Sequence, residues 1–149
     1  MPACPSNHTH AQAPVKRRLA AIAFADVVGY SILMARDETR THAQWMSMLA
    51  DIVRPQVERH HGTIVKLIGD GVLVEFPSAF DAVDWARNVQ HSVVSAGRDQ
   101  SAANPAIVLR VAVHVGDIID QDNDIYGDGI NVAARLQEHA PPGGVVMSE

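Results

Sequence analysis

Two aspartates stand where a chain could use them on a cation. Asp26 ends an apolar run over residues 19–26, and Asp70 lies within Ile64-Val-Lys-Leu-Ile-Gly-Asp-Gly-Val-Leu-Val-Glu-Phe76. That stretch reads as two strands joined by a two-residue turn, Gly69 and Asp70, with Gly71 following. Asp-Gly between alternating apolar runs is a short-range hairpin signal. If the two carboxylates meet, they form a hard oxygen site suited to Mg²⁺ and a polyphosphate. Taken alone, Asp26 also suits a strand-end cap and Asp70 an ordinary turn. A second pair, Asn131 and Arg135, is spaced to share one face of a helix. An amide and a guanidinium projecting together suit a ribose oxygen and a phosphoryl group. The plainer alternative is an exposed polar face with an Arg135–Glu138 surface pair.

Topology must bring the aspartates together. After Asp26, residues 37–60 predict a helix, with Trp45, Met48, Leu49, Ile52 and Val53 at helical spacing and Gly62 past its end. A strand-helix-strand crossover leaves both strands pointing the same way, so the Asp70 turn falls at the edge where Asp26 emerges. Pairing the third strand beside the first, as in a split βαβ unit, makes the two carboxylates neighbours. Ser78 or Asp81 can start a second helix reaching about residue 96, and residues 97–104 read as a polar loop. A fourth strand is expected over 107–115, a short fifth over 116–120 and a turn over 121–124. A third helix over 128–139 and a strand from Val145 complete the pattern. This order predicts an α+β fold: a ferredoxin-like βαββαβ core with an appended strand and helix.

The chain has 149 residues, 47% of them hydrophobic, enough for one domain with a real core. Residues 1–15 carry little apolar periodicity and read as a disordered tail, leaving 16–149 as the domain. His8 and His10 in that tail read as solvated, as does the Lys16, Arg17, Arg18 cluster. A net charge of −5 argues against broad nucleic-acid binding but not against a nucleotide, whose charge metal ions carry. No apolar run is long enough for a membrane span, and the N-terminus lacks a signal-peptide layout. Cys4 is the single cysteine, which points to a reducing, cytoplasmic compartment.

Three segments together resemble the catalytic domain of class III nucleotidyl cyclases, the adenylate and guanylate cyclases. Phe24-Ala-Asp-Val-Val-Gly-Tyr-Ser31 is similar to that family's first metal motif, and Lys66-Leu-Ile-Gly-Asp-Gly71 to its hairpin motif. Asp124-Ile-Tyr-Gly-Asp-Gly-Ile-Asn-Val-Ala-Ala-Arg135 is similar to its substrate and transition-state motif. The short loop between Gly116 and Asp124 resembles a bacterial subgroup. The Gly-Gly-Asp/Glu-Glu-Phe signature of diguanylate cyclases is not found.

The resemblance implies roles. Asp26, Asp70 and the Val27 carbonyl would hold two Mg²⁺ or Mn²⁺ ions. Asn131 would orient the ribose, and Arg135 would stabilise charge on the α-phosphoryl group. Lys66 and Asp124 would read the base. Lysine only donates hydrogen bonds and an ionised aspartate only accepts. That pairing matches adenine and opposes guanine, so ATP is the expected substrate and cyclic AMP the product. The resemblance also implies a head-to-tail homodimer in which each site draws its metal aspartates from one protomer and the other residues from its partner. The family's domain continues past the position of Glu149 with a helix and closing strands that include a triphosphate-binding lysine. The sequence stops short of them and reads as C-terminally truncated, which keeps open a non-catalytic cyclase-like domain that binds nucleotide or serves regulation or dimerisation.

Overall fold

A computed structural model describes residues 15–98, 106–122 and 124–148. The expected tail, with Cys4, His8 and His10, lies outside the described residues apart from Val15, as does most of the expected polar loop. The elements in chain order are β1 (Lys16–Val27), α1 (Tyr30–Arg36), α2 (Glu38–Met48), a π-helical turn (Leu49–Val53), α3 (Arg54–Arg59), β2 (Thr63–Ile68), β3 (Gly71–Phe76), α4 (Ala79–Gly97), β4 (Leu109–Gln121), β5 (Asp124–Tyr126), α5 (Asp128–His139) and β6 (Val145–Met147).

The sheet runs β2-β3-β1-β4-β5, with β6 also paired to β4. β1 lies antiparallel between β3 and β4, the split arrangement expected of a ferredoxin-like core. Side chains of a strand alternate between faces, and β1 uses both. Ala21, Ala23, Ala25 and Val27 face a core shared with Trp45, Leu49, Val53 and Val57 of the first helical layer and Trp85, Val89 and Val93 of α4. Ala20 and Ile22, with Phe24 beside them, join Leu73, Ile118, Ile125 and Ala133 on the opposite face, beneath α5. Burying each Val- or Leu-sized side chain contributes about 1.5–3 kcal/mol. Asp26 follows the even-numbered set, so the alternation itself turns it toward α5.

Five local features depart from the expectations. The helix over 37–60 is three pieces, because Pro55 supplies no N–H and its ring crowds the preceding turn. The chain widens there, and the Arg54 N–H donates five residues back to the Leu49 carbonyl. A short α1 precedes α2, whose N-cap Asp37 accepts from the Arg40 N–H at 3.1 Å. The expected fourth and fifth strands are one strand, β4, because β1 extends back to Lys16 and pairs with it as far as Asp120. That extension takes in the basic cluster: Arg18 is not free in solvent but ion-paired with Glu75 of β3 and Asp120 of β4. Asp124, expected in the turn over 121–124, already opens β5, paired with Gln121 of β4.

Candidate active site

The hairpin between β2 and β3 turns on Gly69 and Asp70, with Ile68 paired to Gly71. Gly69 has φ +58, a left-handed conformation that glycine adopts without a Cβ penalty. Asp70 is held against the end of β1: its Oδ2 accepts from the Val27 N–H at 3.3 Å. In an extended residue the N–H and C=O face the same neighbour, so the Val27 carbonyl faces the hairpin too. Asp26 pairs across the ladder with Gly71 on one side and Arg110 on the other. Asp26, Val27 and Asp70 therefore come together at one edge of the sheet.

Charge at that edge is unbalanced. Partial burial pushes the Asp26 carboxyl up to about 6, with the Asp70 and Glu138 charges adding to the rise and Arg110 opposing it. The Nε of Arg110 is buried without a hydrogen-bond partner among the described residues. Among the described residues no group of three or more His, Cys, Asp or Glu side chains is arranged to hold a metal ion. Two carboxylates and a carbonyl nonetheless fit Mg²⁺ or Mn²⁺. Such ions are commonly bound through one or two carboxylates, with substrate phosphates and water completing the shell. The surplus negative charge beside Asp26 is of the kind that a bound cation would neutralise.

Lys66 and Asp124 meet although β2 and β5 are the two ends of the strand order. The Lys66 Nζ lies 3.1 Å from Asp124 Oδ1 and 5.6 Å from the centre of the Tyr126 ring. A flat sheet would hold these strands about 19 Å apart, four spacings, so the sheet curls to bring its ends together. The Asp124 carboxyl lies below the ordinary aspartate range, first because it accepts from the Ile125 N–H at 2.7 Å and then because of Lys66. The pair is half-exposed and open to exchange partners.

Asn131 and Arg135 lie one turn apart on the exposed side of α5. The Arg135 Nε donates to the Asn131 carbonyl at 3.4 Å, and the guanidinium lies 3.8 Å from Asp128, which replaces the Glu138 pairing weighed above. The buried stripe of the same helix is Gly129, Ala133 and Gln137. A Cβ on Gly129 would lie 2.9 Å from the Asp117 carbonyl oxygen, so glycine lets α5 approach β4 this closely. Positions 135 and 137 differ by about 200° around a helix. Asn131 and Arg135 therefore point away from the sheet, while Gln137 donates from its side-chain nitrogen to Asp26.

The sequence reading placed three residues of this edge nowhere near Asp26: Arg110 and Gln137, which it did not single out, and Glu138, which it weighed only as a surface partner of Arg135. Two of them carried a signal. Arg110 interrupts an apolar strand, and Gln137 is a polar residue on the buried stripe of an amphipathic helix, where an unpaired amide is costly.

A sequence model described as the adenylate and guanylate cyclase catalytic domain matches residues 15–149. The chain belongs to this family. A Rhizobium meliloti protein carrying an adenylate cyclase name is 50% identical over 139 residues, covering 93% of this chain and 24% of its own length. An adenylate cyclase of Glutamicibacter nicotianae is 33% identical, covering 85% of this chain and 30% of its own. The chain thus spans less than a third of the length of either curated relative. The crystal structure of an adenylate/guanylate cyclase/hydrolase from Silicibacter pomeroyi superimposes with a TM-score of 0.82 at 36% identity, covering 89% of this chain and 77% of that one. The observed α+β architecture is the cyclase fold. No helix among the described residues is long and apolar enough to cross a membrane.

Proposed function

We propose that this cyclase domain is an adenylate cyclase that converts ATP to 3′,5′-cyclic AMP and pyrophosphate, working as a head-to-tail homodimer. In the reaction the ribose O3′ attacks the α-phosphorus. A bond forms between them, the bond from that phosphorus to the β-phosphoryl oxygen breaks, and the 3′ proton passes to solvent. Asp26, Asp70 and the Val27 carbonyl would hold two Mg²⁺ or Mn²⁺ ions. When bound, these supply acidification of the 3′-hydroxyl and neutralisation of the leaving pyrophosphate. Arg110 adds a fixed positive charge beside the carboxylates. Asn131 orients the ribose, and Arg135 stabilises charge on the α-phosphoryl group as the five-coordinate state forms.

The observation that carries this reading is the Lys66–Asp124 pair at 3.1 Å. It presents a donor beside an acceptor, complementary to the ring-nitrogen acceptor and exocyclic amine of adenine. Guanine offers the reverse polarity, and the mismatch would cost on the order of a few kcal/mol. The dimer has its own support. Asn131 and Arg135 face away from the sheet edge that holds Asp26, so a second protomer is the ready source of these groups for each site. ATP as substrate and a single cysteine fit a cytoplasmic domain in cyclic nucleotide signalling.

The test is cyclic nucleotide formation from ATP and from GTP, with Mg²⁺ or Mn²⁺, over a range of protein concentrations. Cyclic AMP rising faster than linearly with protein is expected. Cyclic GMP as the chief product would overturn the base assignment. No product from either nucleotide, with the chain folded and dimeric, would favour a nucleotide-binding domain without turnover.

A further inference from the structure

We infer that Gln137 is a positioning residue for the metal site: its side-chain amide holds the Asp26 carboxylate in the orientation that receives a divalent cation. The inference rests on the reading of Asp26 as a metal ligand. Gln137 is only 3% exposed, in the stripe of α5 that packs on the sheet. Its Nε2 donates to Asp26 Oδ1. An ionised carboxylate has no donor to offer, so the amide must present its nitrogen. With one lone pair of Oδ1 engaged, the carboxylate plane is fixed, and Oδ2 and the remaining Oδ1 lone pair are left to a cation.

The alternative orientation is close at hand. Arg110 is the ladder partner of Asp26 on β4, and the buried Nε of Arg110 has no hydrogen-bond partner among the described residues. The terminal torsion of aspartate is broad and roughly two-fold, so a carboxylate without the Gln137 donor can swing toward that guanidinium. An Asp26–Arg110 ion pair would compete directly with a cation for the same oxygens. Gln137 acts against that swing. It does so from a helix, an element more rigid than a loop. Partners that orient a metal ligand in this way change metal affinity by about 10–100-fold when removed.

The experiment measures Mn²⁺ binding to the full chain by electron paramagnetic resonance, without nucleotide, alongside thermal unfolding. Gln137→Met keeps the length of the side chain and removes the donor. Its expected result is Mn²⁺ affinity lower by about tenfold or more with little change in unfolding temperature. Asp26→Asn is the reference. Wild-type affinity in Gln137→Met, with binding lost in Asp26→Asn, would overturn the role of Gln137 alone. Unchanged binding in Asp26→Asn would overturn the metal reading of Asp26 and this inference with it. A second measurement needs no variant. The side-chain amide signals of Gln137 in the wild-type NMR spectrum should move as Mg²⁺ saturates the site, and signals that stay put through saturation would sink the inference.

Discussion

At the scale of single residues, Asp26 is ionised at a cost to the metal-free fold. Its folded value, about 6, lies above the ordinary 3.8. Between those values the folded chain holds more of the proton than the unfolded chain does, so this group lowers stability as pH rises through that window. Because Asp26 is half-buried, solvent moderates the size of the effect. Without metal, Asp26→Asn is expected to raise the unfolding temperature at pH 7 and to change it little at pH 4, measured by scanning calorimetry. The same carboxylate is expected to be indispensable to turnover. Asp26→Ala or Asp70→Ala should each lower the rate at least about a hundredfold while circular dichroism shows a folded chain. Wild-type rates in either variant would contradict the metal assignment. Base reading is separable from both. Lys66→Glu replaces a donor with an acceptor, and its ratio of kcat/KM for ATP over GTP should fall by about tenfold or more. An unchanged ratio would remove Lys66 from base recognition. The polar types at these positions were legible in the sequence because each interrupts or ends an apolar pattern. Glu138 was not, since an exposed helical glutamate carries no local sign of the charge it faces.

At the scale of elements, the site depends on where turns fall. Gly69 is the left-handed residue of the β2–β3 hairpin, and Asp70 follows it directly. Gly69→Val puts a β-branched side chain into that conformation at a cost of about 1–2 kcal/mol. The turn is expected to relieve the strain by shifting Asp70 off the Val27 amide. Activity should therefore fall by much more than the loss in stability alone explains, as judged from urea unfolding beside the rate. An activity loss no greater than the unfolded fraction would show that the turn conformation does not position the carboxylate. The hairpin was readable in advance because its signal is local: two apolar runs and the turn residues between them. The π-helical turn before α3 was not, although Pro55 is plain in the sequence. A proline in a helical pattern can end, kink or widen the helix, and the packing of Leu49 and Val53 into the core favours the widened form. The length of β4 was likewise missed, two strands being expected in its place, because Gly116 reads as a break until the long β1 is found paired beside it.

At the scale of the whole molecule, the cyclase domain offers its chemistry on surfaces that face different ways. α5 sends Gln137 toward Asp26 and turns Asn131 and Arg135 outward. In a head-to-tail dimer, a protomer with Asp26→Ala and one with Arg135→Ala can together rebuild one intact site of two. Mixing the two inactive variants in equal amounts is expected to restore up to about a quarter of the wild-type rate, since half the dimers are mixed and each holds one good site. No recovery, with mixed dimers demonstrated by native mass spectrometry, would count against shared sites. The amino-acid sequence by itself determined the order of the main strands and helices, though not α1 or the single long β4, together with the split β1–β3 pairing expected of that order and the carboxylates at the strand end and hairpin tip. The elements and carboxylates follow from periodicity and turn chemistry within a few residues along the chain, and the pairing from the crossover that such an order imposes. Only the tertiary structure decided that Lys66 and Asp124 meet from opposite ends of the sheet, that Arg18 is tied into two ion pairs, and that Gln137 and Arg110 flank Asp26. Those contacts depend on how far the sheet curls and where α5 settles across it, quantities summed over many strand twists and side-chain volumes that no single stretch of chain encodes.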